Sequence, residues 1–296
     1  MPLGVLYGLA TALSWGSADL FARFATRRIG TFRTMLYMQF CGFCLLTLLM
    51  PVFGGWGRLA DGSGWQPWAW GILVGILNTS STLSLYRSFE IGKMSVVAPV
   101  SACYPVLTMF LSAITGEHLT SLRLIGAACA IAGVVLVARG EKIPEDANPS
   151  DSRTQPAKKH LGLSWAIFSA LGFGVMFWLL GLRVVPILGG APSVWIIRLT
   201  SVVTTFIAIL FFRASPALPP RKDLPWIVGV GLLDTGAYVF NNYGMRLEQT
   251  SVVSVLASLY GAVTVALAAI FLREPISRLQ WLGIFAIFAG ITLITR

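Results

Sequence analysis

The chain has 296 residues, 56% of them hydrophobic and 11% charged, with a mean hydropathy of +0.76. A soluble domain carries about 25% charged residues, so this composition excludes a globular protein wetted on all sides and places most of the chain in a lipid bilayer. The net charge of +10 is carried by Lys and Arg scattered between apolar blocks. Nucleic-acid binding needs a contiguous basic surface to displace counterions, so no nucleic-acid partner is expected.

A membrane-spanning helix needs about 20 mostly apolar residues, and ten stretches qualify. The first, 3–22, has no basic residues ahead of its apolar run, unlike a cleaved signal peptide, and is expected to be retained. It holds Trp15 and Asp19, and Arg23 follows Asp19 at the i+4 spacing of a helix-surface ion pair. The second span, 34–53, holds Gln39 and the pair Cys41 and Cys44. Their CxxC spacing suggests redox chemistry only formally, because a reactive thiolate needs an electropositive, accessible site. In the third span, 67–86, Asn78, Thr82 and Tyr86 share one helical face. The fourth, 94–114, contains Ser101, Tyr104, Pro105 and Thr108; Pro105 lacks an N–H and is expected to bend its helix. The fifth is 122–138.

Residues 139–160, RGEKIPEDANPSDSRTQPAKKH, form the one long polar stretch and read as a connector. Beyond it lie spans 161–181, with Phe173, Phe177 and Trp178, and 192–212, with Arg198. The eighth span, 224–243, places Asp234, Tyr238, Asn241 and Asn242 on one face. The ninth, 250–271, holds Ser258, Tyr260, Gly261 and Thr264, and the tenth is 279–295. The apolar runs are continuous rather than alternating and too long for barrel strands, so the spans are helices.

The two sets of five spans repeat each other. Trp70, Gly75, Asn78 and Thr79 match Trp226, Gly231, Asp234 and Thr235 at an offset of 156, as do Ser95, Tyr104 and Thr108 with Ser251, Tyr260 and Thr264. At an offset of 157, Glu117, Leu122, Gly126, Gly133 and Arg139 match Glu274, Leu279, Gly283, Gly290 and Arg296. The expected organisation is a first five-helix repeat, 1–139, a polar linker, 140–160, and a second repeat, 161–296. Five is odd, so the second bundle enters the membrane from the opposite side. The fold class is all-α integral membrane, ten transmembrane helices as an inverted repeat, which places a solute site at the repeat interface near the midplane. Loop charge agrees. Connectors 1–2, 3–4, 5–6, 7–8 and 9–10 hold 16 Lys and Arg, against five on the other side, namely Arg58, Arg123, Arg183, Arg246 and Arg296. The basic side is cytoplasmic by the positive-inside rule, leaving both termini outside.

Together with the duplication, three groups of residues in the first half carry a family resemblance: Leu13-Ser-Trp15-Gly16, Ser95-Val-Val-Ala-Pro99, and Gly116-Glu117 with Gly126 and Ala132-Gly133. Ser251-Val-Val, Arg273-Glu274-Pro275 and Ala289-Gly290 answer them in the second half. On these the chain resembles the drug/metabolite transporter superfamily, in its EamA-domain branch. The resemblance implies a secondary carrier, often an exporter of amino acids, related metabolites or drugs. Its cavity would be lined by the first, third and fourth helices of each half. It also implies cytoplasmic termini, opposite to the loop charges.

Polar side chains inside a bilayer must face protein or water. The candidate substrate- or ion-binding residues are Asp234, Asn78, Tyr238, Asn242, Thr82, Tyr86, Arg198, Tyr104, Tyr260, Trp15, Trp178 and Asp19. The stripes on the third and eighth spans either wall a cavity or bond helix to helix. Asp234 lies about 15 Å into its span at 1.5 Å per residue, near the midplane. It serves there either as a proton carrier or as an acid paired with Arg198. Arg198, whose repeat partner is Gln39, grips either a substrate anion or Asp234. Asp19 reads more readily as a partner of Arg23 than as a coupling group. Trp15, Phe173, Phe177 and Trp178 face either a cavity or neighbouring helices.

The two histidines, His118 and His160, stand in different loops, and no nucleotide-binding or zinc spacing occurs. Neither an enzyme nor an ATP-driven pump is expected, and neither is a cofactor or metal. The expected function is a multi-pass carrier of the cell membrane that moves a small organic solute, such as an amino acid, by alternating access. Protons are the candidate coupling ion, and a monomer suffices. A flippase for a lipid or lipid-linked intermediate is the alternative, and a membrane-embedded enzyme a more distant one.

Overall fold

The computed structural model describes residues 3–53, 55–60, 62, 64–116, 120–139, 157–274 and 276–294. The linker residues 140–156, and Glu117, His118, Pro275 and Arg296, lie outside the described residues. Among the described residues the chain is all-helical, with no strand. In chain order the helices are α1 (Leu3–Ile29), α2 (Thr31–Leu49), the short α3 (Gly55–Leu59), α4 (Gln66–Ile91), α5 (Met94–Ser101), α6 (Tyr104–Ile114) and α7 (Ser121–Arg139). After the linker come α8 (Ala157–Leu179), α9 (Val185–Leu188), α10 (Gly190–Phe211), α11 (Leu224–Leu247), α12 (Thr250–Ser258), α13 (Tyr260–Leu267) and α14 (Arg278–Ile294).

Among the described residues, five helical stretches are long and apolar enough to cross a membrane by length and composition: Thr31–Leu49, Met94–Ile114, Gly162–Leu188, Gly190–Phe211 and Val252–Leu272. Ser121–Val137 and Arg278–Leu293 are apolar but shorter. Helices α1, α4 and α11, of 27, 26 and 24 residues, are more polar, and α4 and α11 carry the polar stripes of the third and eighth spans. Large apolar side chains point outward, Ile114 being 80% and Phe211 79% exposed. Such a surface suits hydrocarbon rather than water.

The sequence reading took 94–114 and 250–271 as continuous spans, and the structure breaks both. Helix α5 stops at Ser101 and α6 starts at Tyr104. The ring of Pro105 cannot sit against the carbonyl four residues back, and it brings no N–H. Cys103 and Val106 instead bond to Val100 and Cys103, three residues back. The second break, at Leu259 between α12 and α13, uses the same tightened turns, Leu259 to Leu256 and Ala262 to Leu259, without a proline.

Helix α1 packs on α11 and α4 on α8, while α10 lies against α2 and α4. Helices α7 and α14 approach through glycines. A Cβ on Gly133 would lie 2.6 Å from the Gly283 carbonyl oxygen, and one on Gly283 2.7 Å from the Gly133 oxygen. Backbones this close need residues without side chains. At one end of the bundle the segments after α1, α4, α10 and before α14 meet. Arg28 pairs with Asp223 at 3.0 Å, and Arg33 donates to the Ala217 and Leu218 carbonyls at 2.9 and 2.7 Å. Arg23 pairs with Glu274 at 3.2 Å. At the other end, Trp178 of α8 donates to Thr115 after α6 at 3.2 Å, and Asn242 of α11 donates to the Gly190 carbonyl at 3.3 Å.

Candidate functional site

A cavity of about 30 Å³ lies between α1, α4, α6, α8, α11 and α13. Each wall is a single helical face. Helix α1 contributes Trp15, Ala18 and Asp19, at i, i+3 and i+4; α4 contributes Thr82, Leu85 and Tyr86 at the same spacing. Phe173 and Phe177 of α8, and Asp234 and Tyr238 of α11, are i, i+4 pairs. Tyr104 and Tyr260, each in the first turn after its helix break, close the remaining sides. Space of this size holds about two or three waters, so a larger solute enters only if the helices part.

The rings form one connected cluster. Trp15 meets Phe177 at 5.5 Å between centroids, and meets Tyr238 and Tyr260 edge-on at 5.1 and 6.0 Å. Phe177 also stacks on Tyr238 at 6.1 Å and lies 4.8 Å from Tyr104. The tyrosine hydroxyls are tied outward to neighbouring helices. Tyr104 donates to the Ser254 carbonyl at 2.9 Å, Tyr260 shares a 3.1 Å bond with Ser101, and Tyr238 donates to the Asn78 carbonyl oxygen. Asn78 in turn donates to Ser201 at 3.0 Å. It stands behind the cavity wall and positions Tyr238.

Arg198 and Asp234 form an ion pair at 2.6 Å, with side-chain exposures of 0% and 14%. The second arm of the guanidinium donates to Gln39, its own repeat counterpart, and the group lies 5.1 Å over the ring of Tyr238. Gly42 makes room for this on α2: a Cβ there would overlap the Thr235 hydroxyl and lie 3.1 Å from Arg198 Nε. In the structure Arg198 and Asp234 are each other's partner. Arg198 is behind the wall, and Asp234 presents its remaining surface to the cavity.

Asp19 corrects the sequence reading. Arg23 turns away from it, donating to the Gly92 carbonyl at 2.8 Å and pairing with Glu274. The Asp19 carboxylate instead accepts a 2.9 Å bond from Thr264 and faces the cavity. Two other candidates fall outside. Asn242 is buried one to two turns beyond Tyr238 and bonds the start of α10. Trp178 follows Phe177 directly and so points 100° around the helix from it, toward Thr115. Residues not singled out in the sequence include Ser201, the partner of Asn78, and the Arg23–Glu274 pair. Glu274 also accepts the backbone N–H groups of Met94 and Ser95 at 3.2 and 2.9 Å, capping α5 from the far half of the chain. Its signals in the sequence were a place in the family motif and the repeat match with Glu117.

The sequence profile of the EamA-like transporter family matches residues 2–139 and 160–296. Over 76 residues, 25% of this chain, the sequence is 37% identical to an uncharacterized transporter of Archaeoglobus fulgidus. That match spans 28% of the relative's length. A solved structure described as "Crystal structure of protein" superposes with a TM-score of 0.71 over 99% of this chain and 96% of its own, at 17% identity, a likeness of fold.

Proposed function

The chain belongs to the EamA-like transporter family, and from that premise we propose that it is a secondary carrier that moves a small organic solute through the cavity by alternating access. Membership of a transporter family, with several apolar helices, makes it a multi-pass membrane protein. The finer reading is ten membrane-spanning helices, built as two oppositely inserted five-helix repeats, 1–139 and 161–296, joined by 140–160. Three observations support it. The partners α1 with α11 and α4 with α8 exchange under the 156–157 offset, as do the contacts Gly133 with Gly283 and Gly126 with Gly290. The described connectors 1–2, 3–4, 7–8 and 9–10 meet at one end. Both halves line the cavity.

The observation that carries the transport reading is the polar and aromatic lining of that cavity, Asp19 above all, amid helices whose outer faces are apolar. A packing site alone has no use for a carboxyl facing open space. Amino acids and related metabolites, exported across the cell membrane, form the first panel of solutes, on the family resemblance. Proton coupling is assigned to Asp19 rather than Asp234, because Asp234 is already matched by Arg198.

Cysteine accessibility tests the reading without knowledge of the solute. With Cys41, Cys44, Cys103 and Cys129 replaced, Ala18→Cys is labelled in oriented vesicles by a membrane-impermeant maleimide. A carrier exposes position 18 in turn to each side, so labelling is expected from both. Labelling from neither side refutes alternating access.

A further inference from the structure

The charges around the cavity do not cancel. Asp19 is 6% exposed, and among the described residues no Lys, Arg or His lies within ion-pair distance of it. Its one described hydrogen bond comes from the neutral Thr264 hydroxyl. The ionisable groups of the surrounding elements are Tyr86 on α4, Tyr104 on α6, Tyr260 on α13, Tyr238 and Asp234 on α11, and Arg198 on α10 behind them. Arg198 is consumed by Asp234 and Gln39. Two carboxyl groups share one guanidinium, so Asp19, when ionised, carries a negative charge that no described cation matches.

The walls beside that charge are ring faces and edges. Trp15, one turn before Asp19 on the same face, is joined by Phe177, Tyr238 and Tyr260 within 5.1 to 6.0 Å. Aromatic faces attract a cation through their quadrupole, and Trp does so best. The cluster already holds one cation this way, with Arg198 over Tyr238. An ammonium group is about the size of a water molecule, so the 30 Å³ cavity receives the charged head of a solute even before the rings separate.

We propose that the cavity selects an organic cation, an ammonium group bound between the Asp19 carboxylate and the aromatic rings with its apolar remainder against Phe173 and Phe177. This rests on the reading of the cavity as the carrier's solute site and puts organic cations in place of zwitterionic amino acids as its substrate class. A zwitterion or anion brings a carboxylate that has no receiving group. The one guanidinium at hand cannot turn to it without stranding Asp234 in a low-dielectric interior, where an unpaired charge is costly.

Three probes share a ring and differ in charge: 2-phenylethylamine, L-phenylalanine and 3-phenylpropanoate. Radiolabelled 2-phenylethylamine is bound to the purified full-length protein in lipid nanodiscs at neutral pH, and the other two compete. The amine is expected to bind at least about tenfold more tightly than either competitor, as befits one charge-assisted contact. Asp19→Asn is expected to lose about tenfold or more of that binding, and Asp19→Glu, which keeps the carboxylate, to recover part of it. Equal binding of the three probes, tighter binding of the zwitterion or anion, full amine binding by Asp19→Asn, or no binding of any probe each overturns the cation assignment. The carrier reading is judged separately, since labelling at position 18 requires no solute.

Discussion

The change Asp234→Asn keeps nearly the same shape and removes one charge, leaving the guanidinium of Arg198 in place. Both side chains are buried, Arg198 completely and Asp234 all but 14%. Removing one partner of a buried pair costs about 3–5 kcal/mol, and the slight exposure of Asp234 puts the expected loss near the lower bound. The remaining bond to Gln39 solvates the guanidinium only in part, and a guanidinium cannot shed its proton. At roughly 2 °C per kcal/mol for a chain of this size, the melting midpoint should fall by about 6 °C. Arg198→Gln is expected to cost less, because the carboxyl left behind keeps 14% of its surface exposed whereas the guanidinium has none. The double variant removes both charges and should melt above Asp234→Asn, giving a coupling energy of about 2 kcal/mol. Thermal melts of the four detergent-purified proteins complete the cycle. If the losses of the two single variants simply add in the double, the two groups do not act as a pair and the account of Arg198 is wrong.

Gly133→Ala places a methyl group 2.6 Å from the Gly283 carbonyl and 2.7 Å from the Ile287 amide. Backbone rather than a flexible side chain must yield, so a loss of about 1–3 kcal/mol is expected, read as a lowered melting midpoint beside an unchanged Gly57→Ala control, where nothing lies within 4 Å. Glu274→Ala removes the partner of Arg23 and the cap on the Met94 and Ser95 amides. We expect these contacts to act as a latch at that end of the bundle, where losing about 1–2 kcal/mol shifts the open population about 5- to 30-fold. Faster maleimide labelling of Ala18→Cys from that end alone is the expected readout, and unchanged labelling would remove the latch role.

Much of this protein was legible before any coordinates. Long apolar runs separated by charged connectors can only be helices in lipid, because a bilayer leaves the backbone no other way to satisfy its N–H and C=O groups. The offset of 156–157 relates Asn78 to Asp234 whatever the packing, and the i, i+4 spacing of Asp234 and Tyr238, or Phe173 and Phe177, already places each pair on one face. Periodicity assigns a face to a residue but not the neighbour that face meets. That depends on how each helix is rotated and where it breaks, which is settled by contacts between segments far apart in the chain. Thus Asp19 and Arg23, correctly spaced for each other, are parted because Arg23 reaches Glu274, 251 residues away, and Trp178 is carried out of the cavity by one residue of helical rotation. Only the assembled bundle decides that Asp234 is matched by Arg198 and that Asp19 is left without a cation, because electrostatic balance in a low dielectric is a property of side chains within a few ångströms, wherever in the chain they come from.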